Sequence, residues 1–469
     1  MNYLAFDLGA SSGKIVRARF DGNQLRLETV SRFENHQIRQ EDGLYWDFPA
    51  IQSNMLSGIA KAAKSGPIDS FGIDTFCNDF SFIDASGKIM APIHSYRDER
   101  TLRTAARSNR IMPPRKLYEL TGNQRAPFNT LMQLAAMRIE NKAAVLDEAA
   151  HFLFLPDLLA YGLTGEILTE RTVSSVSQMY SFETKDWIDE ILNAFRIPRA
   201  LFGKLTDPGT ISGRLSGRMS AELGAHPFDF VSVCEHDTAS AFLASAGTAD
   251  SLILSSGTWS VAGCENEKPI ITDFGFENNI ANEGSIKGCH RILKNVMGSW
   301  LLQELIADYR NDGVTYGYED LTRAARQAKP EQWSIDVDDP IFFLPGDIRK
   351  KIRTQCLVRH DAAPETLGEF ARVIEEGLAL KYRMALEQLE ELTGRHFAAI
   401  SVIGGGTKDS LLCQLTANIC GRPVLAGHAE ATSLGNILVQ MLAHGEIKNI
   451  TEGRELIAGS FPIKTYDPK

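Results

Sequence analysis

The chain is 469 residues long, which exceeds one ordinary core and predicts two or three domains. Hydrophobic residues make up 43% and charged residues 23%, as in globular proteins, and the net charge of −10 comes without the long basic stripe that a nucleic-acid or anionic-membrane surface needs. Seven scattered cysteines without a Cys-x-x-Cys pair point to a reducing compartment and no structural zinc. No apolar run reaches the ~18 residues of a spanning helix, and "MNYLAFDLGA" lacks a secretory leader pattern, so the expectation is a cytoplasmic protein without nucleic-acid or membrane partners.

The N-terminal stretch reads as strands and hairpins. "YLAFDLGASSG" is a short apolar run ending in a Gly/Ser turn. "KIVRARFDGNQLRLETVSRF" alternates apolar and polar residues on both sides of an Asp-Gly-Asn turn, a hairpin signal. "DSFGIDTFCNDFSFIDASGKIM" reads as strand, break, strand. From Arg97 to Ala160 helical periodicity takes over, as at Leu131, Leu134, Met137 and Ile139. "DSLILSSGTWSVAGCE" then echoes the start of the chain: apolar strand, hydroxyl-rich turn, return strand. A long helix carries Leu367, Phe370, Ile374, Leu378, Leu386, Leu389 and Leu392 and stops at Gly394. "FAAISVIGGGTKDSLLCQLTANICGRPVLA" closes the pattern as strand, Gly-rich turn, helix, strand. This is α/β order, and it predicts two similar lobes, residues 1–243 and 244–469, sharing a cleft.

Four motifs stand out, and each has a plain structural reading beside a chemical one. In "DLGASSGK" three residues separate Gly9 from Gly13 and Ile15 follows Lys14, so it is not a Walker A loop. Its small residues still expose backbone N–H groups for phosphate, and Asp7 suits a Mg²⁺ held through water; otherwise it is a hairpin turn. "LSSGTWS" is a second such turn, with the Thr258 hydroxyl added. "VIGGGTKDSLLCQ" puts three glycines between strand and helix, either a bed for a flat ligand or a tight connection. "CEHDTASAFLASAG" opens with Glu235, His236 and Asp237. Asp237 fits an N-cap of a helix starting at Thr238, and equally a carboxylate kept ionised by the helix dipole to accept a proton.

Together with "GIDT", "YRDERT", "PFNTL", "LTGE", "NEG", "LKNVMGSWLLQ" and "EATSLGNI", these motifs resemble the FGGY family of carbohydrate kinases over nearly the whole chain. The resemblance implies α/β architecture with two duplicated actin-like, ribonuclease-H-like lobes. It implies ATP-dependent phosphorylation of the 1-hydroxyl of a ketose such as L-rhamnulose, with Mg²⁺, by a monomer or homodimer. Asp237 is then the proton acceptor, with His236 and Thr238 flanking the sugar. Ala10, Ser11, Ser12, Gly13, Lys14 and Thr258 contact the ATP phosphates. Asn295 and Gln303 fall at nucleotide-site positions, and Gly405 lies under the adenosine. Cys77, Asp79 and Arg97 are further sugar-contact candidates, although Arg97 equally suits an ion pair with Asp98 or Glu99.

The departures lie in the sugar pocket. "DTFC" stands where rhamnulose-specific members usually read Asp-Thr-Trp-Gly, and both Phe76 and "SVSQM" look closer to fuculose-specific members. "NEGSIKGCHR" has Ser285 where a second glycine is usual. Another ketose is therefore an alternative substrate. A different-class alternative is a non-catalytic sugar- or nucleotide-binding protein on the same fold.

Overall fold

The apolar run after Met1 forms the strand Asn2–Leu8, whose residues past Asn2 are buried. In the computed structural model, which describes residues 1–469, the chain forms two compact units. The first comprises Met1–Ala244, Glu265–Ile292 and Ala431–Ser460. The second comprises Ser245–Cys264, Leu293–Glu430 and Phe461–Lys469. No helix is long and apolar enough to cross a membrane.

In the first unit, Asn2–Leu8 pairs antiparallel with Ser12–Phe20, which pairs in turn with Leu25–Glu34. The expected Asp-Gly-Asn turn joins the last two, with Gly22 at φ 95°. On its other side Asn2–Leu8 pairs parallel with Ser70–Thr75, which pairs parallel with Asp229–Ser232. Thr210–Arg214 closes the sheet antiparallel. Helix Phe48–Lys64 covers one face and buries Ile51, Met55 and Ile59 among Leu4, Phe6, Ile15, Phe71 and Ile73. The region expected to be helical contains five helices, but the strand His151–Phe154 interrupts them by pairing with Phe80–Ile83. Its apolar run Phe152, Leu153, Phe154 is too short to be told from a helix by periodicity.

The second unit repeats the plan. Ser251–Ser256 pairs antiparallel with Trp259–Asn266 and parallel with Ala399–Ile403. Ala399–Ile403 pairs parallel with Val424–Gly427, and Ile463–Tyr466 adds antiparallel to that strand. The long helix runs Leu367–Thr393. Thr366 and Glu369 form a capping box at its start, and Gly394 ends it at φ 67° as its position implied.

One helix of the first unit has an unusual buried face. Ala431–Ala443 is apolar on most sides, yet Ser433, Asn436 and Gln440 are fully buried on it. Gln440 donates to the Leu4 carbonyl at 3.1 Å and accepts from Ser70 Oγ at 2.7 Å. The helix also packs against Asp237–Leu243 so closely that a Cβ on Gly435 would lie 1.7 Å from the Ser240 carbonyl oxygen. That oxygen is backbone and cannot rotate away. Gly435→Ala is therefore expected to destabilise the fold by at least ~2 kcal/mol, read as a lowered urea midpoint with unchanged slope. An unchanged midpoint would mean that the two helices separate at no cost.

Candidate active site

In an open sheet with parallel strands, ligands gather beyond the carboxyl ends of those strands. In the first unit three neighbouring strands end together. Asp7 and Asp74 face each other in register on the parallel pair. The third strand continues into the segment before His236, and the Thr75 N–H donates to the Glu235 carbonyl at 2.9 Å. Asp7, Asp74 and Asp237 are thus carried to one edge by backbone pairing alone.

Each carboxylate has its own surroundings. Asp7 pairs with Lys14 at 3.1 Å across the return strand and accepts from Ser433 Oγ at 3.0 Å. Asp74 is fully buried and accepts from Asn436 Nδ2 at 2.6 Å, while its Oδ1 has no partner. Burial and the neighbouring Asp7 push it well above the usual carboxylate range. Asp237 keeps 26% of its side chain exposed. Burial raises its pKa, His236 pulls it back, and Asp7 adds to the rise. It accepts from the Thr238 N–H at 2.5 Å and from Thr238 Oγ1 at 3.0 Å.

The helix boundary corrects the expected capping role. The helix begins at Asp237, not at Thr238, and His236 is its N-cap residue. The His236 carbonyl accepts from the N–H groups of Ala239 and Ser240, so Asp237 already has helical backbone. Its carboxylate turns back on its own neighbour and stays near the open edge.

His236 is nearly buried between charges of both signs. Nε2 lies 3.6 Å from Asp237 Oδ1. Nδ1 lies 3.0 Å from Arg291 Nη2 and 3.3 Å from Glu283 Oε2. Neutral at Nδ1, the ring accepts from Arg291; protonated there, it donates to Glu283. Burial opposes the cation, but Cys77 and Glu283 outweigh it and raise the imidazole to about 10. Burial also works against Glu283 ionising, yet Arg291 at 2.8 Å and His236 hold it below its usual range.

The loop after Asp74 brings Cys77 against His236. Cys77 Sγ accepts from Asn78 Nδ2 at 3.0 Å. Asn78 has φ 78° and is pinned by Thr130 Oγ1 and Gln133 Nε2, both donating to its carbonyl. Asp79, expected near the sugar, is buried and accepts from Trp46 Nε1 at 2.6 Å, Gln133 Nε2 at 2.9 Å and the Tyr96 N–H at 3.0 Å. Those bonds make it a holder of surrounding elements. Arg97 is exposed and donates from Nε to the Tyr96 hydroxyl at 3.2 Å. It does not pair with Asp98, whose carboxylate accepts from the Leu44 and Arg100 N–H groups. Ala10 and Ser11 lie in the turn between the first two strands, and Ser12, Gly13 and Lys14 begin the return strand.

The second unit gathers the remaining candidates. Thr258 sits in the turn after Ser251–Ser256 and accepts from Gln303 Nε2 at 3.3 Å. The Gly257 carbonyl accepts from the Ser299 N–H and hydroxyl at 2.8 and 2.9 Å, which ties the turn to the start of helix Trp300–Asn311. A Cβ on Gly298 would lie 2.4 Å from that carbonyl oxygen, so only glycine permits the approach. Gly405 opens a short 3-10 turn after Ala399–Ile403, and a Cβ there would meet nothing. Asn295 is half-buried on the strand His290–Met297. Sequence reasoning assigned no role to Asp74, Glu283, Arg291, Ser433 or Asn436. A signal existed for the last two: polar residues three apart on one face of an otherwise apolar helix.

Known proteins match this chain throughout. The N-terminal domain model of the FGGY family of carbohydrate kinases matches residues 2–244, and the C-terminal domain model matches residues 252–444. A rhamnulokinase of Enterococcus faecalis is 38% identical over 470 residues, 99% of this chain and 94% of that protein. A rhamnulokinase of Bacillus subtilis is 35% identical, covering 100% of this chain and 96% of its own. A ligand-bound xylulose kinase from Lactobacillus acidophilus superposes with a TM-score of 0.82 at 17% identity, covering 100% of this chain and 94% of that one. A Plasmodium falciparum glycerol kinase with ADP gives 0.78 at 15% identity, with coverage of 100% and 94%. At those identities the solved structures speak for the fold, and they share the two-domain α/β architecture described above. The matched models and the full-length relatives make the chain a member of the FGGY family of carbohydrate kinases.

Proposed function

We propose that this kinase transfers the γ-phosphoryl group of ATP to the 1-hydroxyl of L-rhamnulose, with Asp237 as the proton acceptor. The observation that carries the mechanism is the place of Asp237: partly exposed, at the first turn of a helix, beside Asp7 and His236. The choice of sugar rests on the full-length likeness to rhamnulokinases. The Ala10–Lys14 turn, Thr258, Asn295, Gln303 and Gly405 form the nucleotide side of this reading. His236, Thr238 and Cys77 form the sugar side. The lobes change over near Ala244.

A sugar hydroxyl is too weak an acid for a carboxylate to deprotonate fully in the ground state. Asp237 instead takes the proton late, as the new O–P bond forms. His236 and the Thr238 hydroxyl orient the carboxylate, and alignment carries much of the rate. A divalent cation fits the donor set. Asp7 offers a carboxylate where the parallel strands end, a donor type that Mg²⁺ would take with part of its water shell kept. Asp7 would hold it through water; when bound, Mg²⁺ neutralises charge on the phosphates. Around it, Lys14 fixes Asp7 and Ser433 fixes the same carboxylate from the other side.

A second reading, the same chemistry on another ketose, is favoured by one observation. Cys77 puts a thiol against His236.

Three outcomes test these readings. In a coupled ATP-to-ADP assay over L-rhamnulose, L-fuculose, xylulose and ribulose, L-rhamnulose is expected to give the highest kcat/KM. Asp237→Asn should lower kcat by ~10²–10⁴-fold while sugar is still bound. A lack of sugar-stimulated turnover in the wild type would sink the kinase reading, and a different best ketose would move the substrate. The pH profile adds a second test. Asp237 works only as the anion and its pKa is raised, so kcat/KM should fall as pH drops through a midpoint above the usual ~3.9. A rate unchanged down to that value would remove Asp237 as the base. Finally, Cys77→Gly should change the L-rhamnulose to L-fuculose ratio of kcat/KM by roughly tenfold or more. An unchanged ratio would place Cys77 outside the sugar pocket.

A further inference from the structure

Directly behind His236 and Asp237 lies a group of carboxyls that the reaction does not use. Asp157, Glu170 and Glu235 are all fully buried. Asp157 comes from the first turn of helix Leu155–Thr164, and Glu170 caps the helix Arg171–Ser175. Glu170 has donors of its own: the Thr172 N–H at 2.8 Å, Thr172 Oγ1 at 2.5 Å, the Val173 N–H at 3.1 Å and the Glu235 N–H at 3.4 Å. Those donors favour the anion, but burial outweighs them and pushes the Glu170 carboxyl up to about 7.

The other two carboxyls are poorer in donors, although Asp157 Oδ1 accepts from the Glu170 N–H at 3.1 Å. Neither oxygen of Glu235 has an N–H or hydroxyl partner, and nor does Asp157 Oδ2. The two side chains meet each other within hydrogen-bonding reach. Two buried carboxylates in contact, with three of their four oxygens lacking a donor, cannot both be anions; one proton between them supplies a missing hydrogen bond. The other titratable groups around the pair are Glu170, Asp74, Cys234 and the neighbouring His236. The nearby cation Arg291 pairs with Glu283.

The backbone of Glu235 and His236 is tied to the same cluster. The Glu235 N–H reaches Glu170, its carbonyl accepts from Thr75, and the His236 N–H donates to Thr172 Oγ1 at 3.2 Å. Asp237 is the next residue. We propose that Asp157 and Glu235 share one proton and act as a buried latch that positions His236 and Asp237, so that loss of the proton at alkaline pH unseats the base. Both are positioning residues and touch no substrate. Burial and mutual repulsion push both carboxyls well above their usual range, in keeping with a proton retained at neutral pH. Displacing a reacting group by ~1 Å costs on the order of 10²-fold in rate, so a small movement suffices.

The inference rests on the kinase reading above, and its test separates the two. With the best ketose and ATP both saturating, wild-type kcat should fall along an alkaline limb, in the range of about pH 8–9 seen for fully buried glutamates. Glu235→Gln supplies an amide donor to Asp157 at every pH and should move that limb up by about one pH unit or more. Asp157→Asn should do the same, and serves if the first variant fails to fold. A wild-type kcat that stays flat through pH 10, or limbs that superimpose in wild type and both variants, overturns the latch. Unfolding gives a readout that needs no sugar. A carboxyl raised in the folded state binds its proton more tightly there than in the unfolded chain. Wild-type stability should therefore fall as pH rises from about 4.3 towards the raised value. The Gln variant should show a shallower slope, since other raised carboxyls such as Asp79 and Glu170 keep their share, and an identical slope counts against the latch even if no ketose is phosphorylated.

Discussion

Two acids side by side on paired strands set the constraint that the first unit is built around. Asp7 and Asp74 are brought into register by the parallel ladder, and neither has enough water to solvate a charge. Burying a carboxylate without donors costs several kcal/mol, so the chain must bring polar groups to them. It does so with one face of the helix Ala431–Ala443. Ser433 bonds Asp7, Asn436 bonds Asp74, and Gln440 bonds Leu4 and Ser70 beneath them. These residues come from the far end of the sequence. The polar face meets the sheet while Gly435 lets the helix touch the backbone of Asp237–Leu243. A single helix therefore bonds the carboxylates of Asp7 and Asp74 and packs against the helix that carries Asp237.

Their surroundings sort carboxyls of one kind into different chemical tasks. Environments that push pKa values apart are how one site holds both anions and proton carriers. Glu283 is held low by Arg291, a permanent cation at 2.8 Å. Asp74 is pushed up by burial and by Asp7, and the Asn436 amide and the Lys14 cation offset them only in part. Asp237 lies between: it is partly exposed, and raised by burial and Asp7 against the pull of His236. That middle position is what the role proposed for Asp237, accepting a proton and releasing it, would need.

Much of this organisation was legible in the sequence, for definite reasons. Strand-turn-strand signals at "DLGASSGK" and "LSSGTWS" depend on local chemistry, and the hairpins appear where they were expected. The long helix with its Gly394 stop has a period that no other structure shares. The strand His151–Phe154 was hidden, because a four-residue apolar run between helices has no period of its own. The start of the helix Asp237–Leu243 was misjudged by one residue, since the competing cap was the His236 carbonyl and not a side chain. Asp79 illustrates a deeper limit. An acid after a strand-like run reads as a ligand group, but its three donors come from Trp46, Tyr96 and Gln133, whose approach is tertiary. Glu283 and Arg291 were missed likewise, because a buried ion pair eight residues apart leaves no periodic trace.

The two units follow one strand plan but carry different residues at matching strand ends. In each, an apolar strand pairs antiparallel with its return strand and parallel with a partner. In the first unit the residues in register near the two carboxyl ends are Asp7 and Asp74. In the second they are Ser255 and Ile403, followed by Ser256, Thr258 and the glycines from Gly404 onward. Acids at a strand end repel a polyphosphate unless a cation intervenes, but they suit a hydrated metal ion and a proton acceptor. Hydroxyls, free amides and bare glycine backbone carry no charge to repel phosphate and leave room for a flat base. The two units thus share a strand plan and differ in charge at matching positions: acids in the first, hydroxyls and glycines in the second.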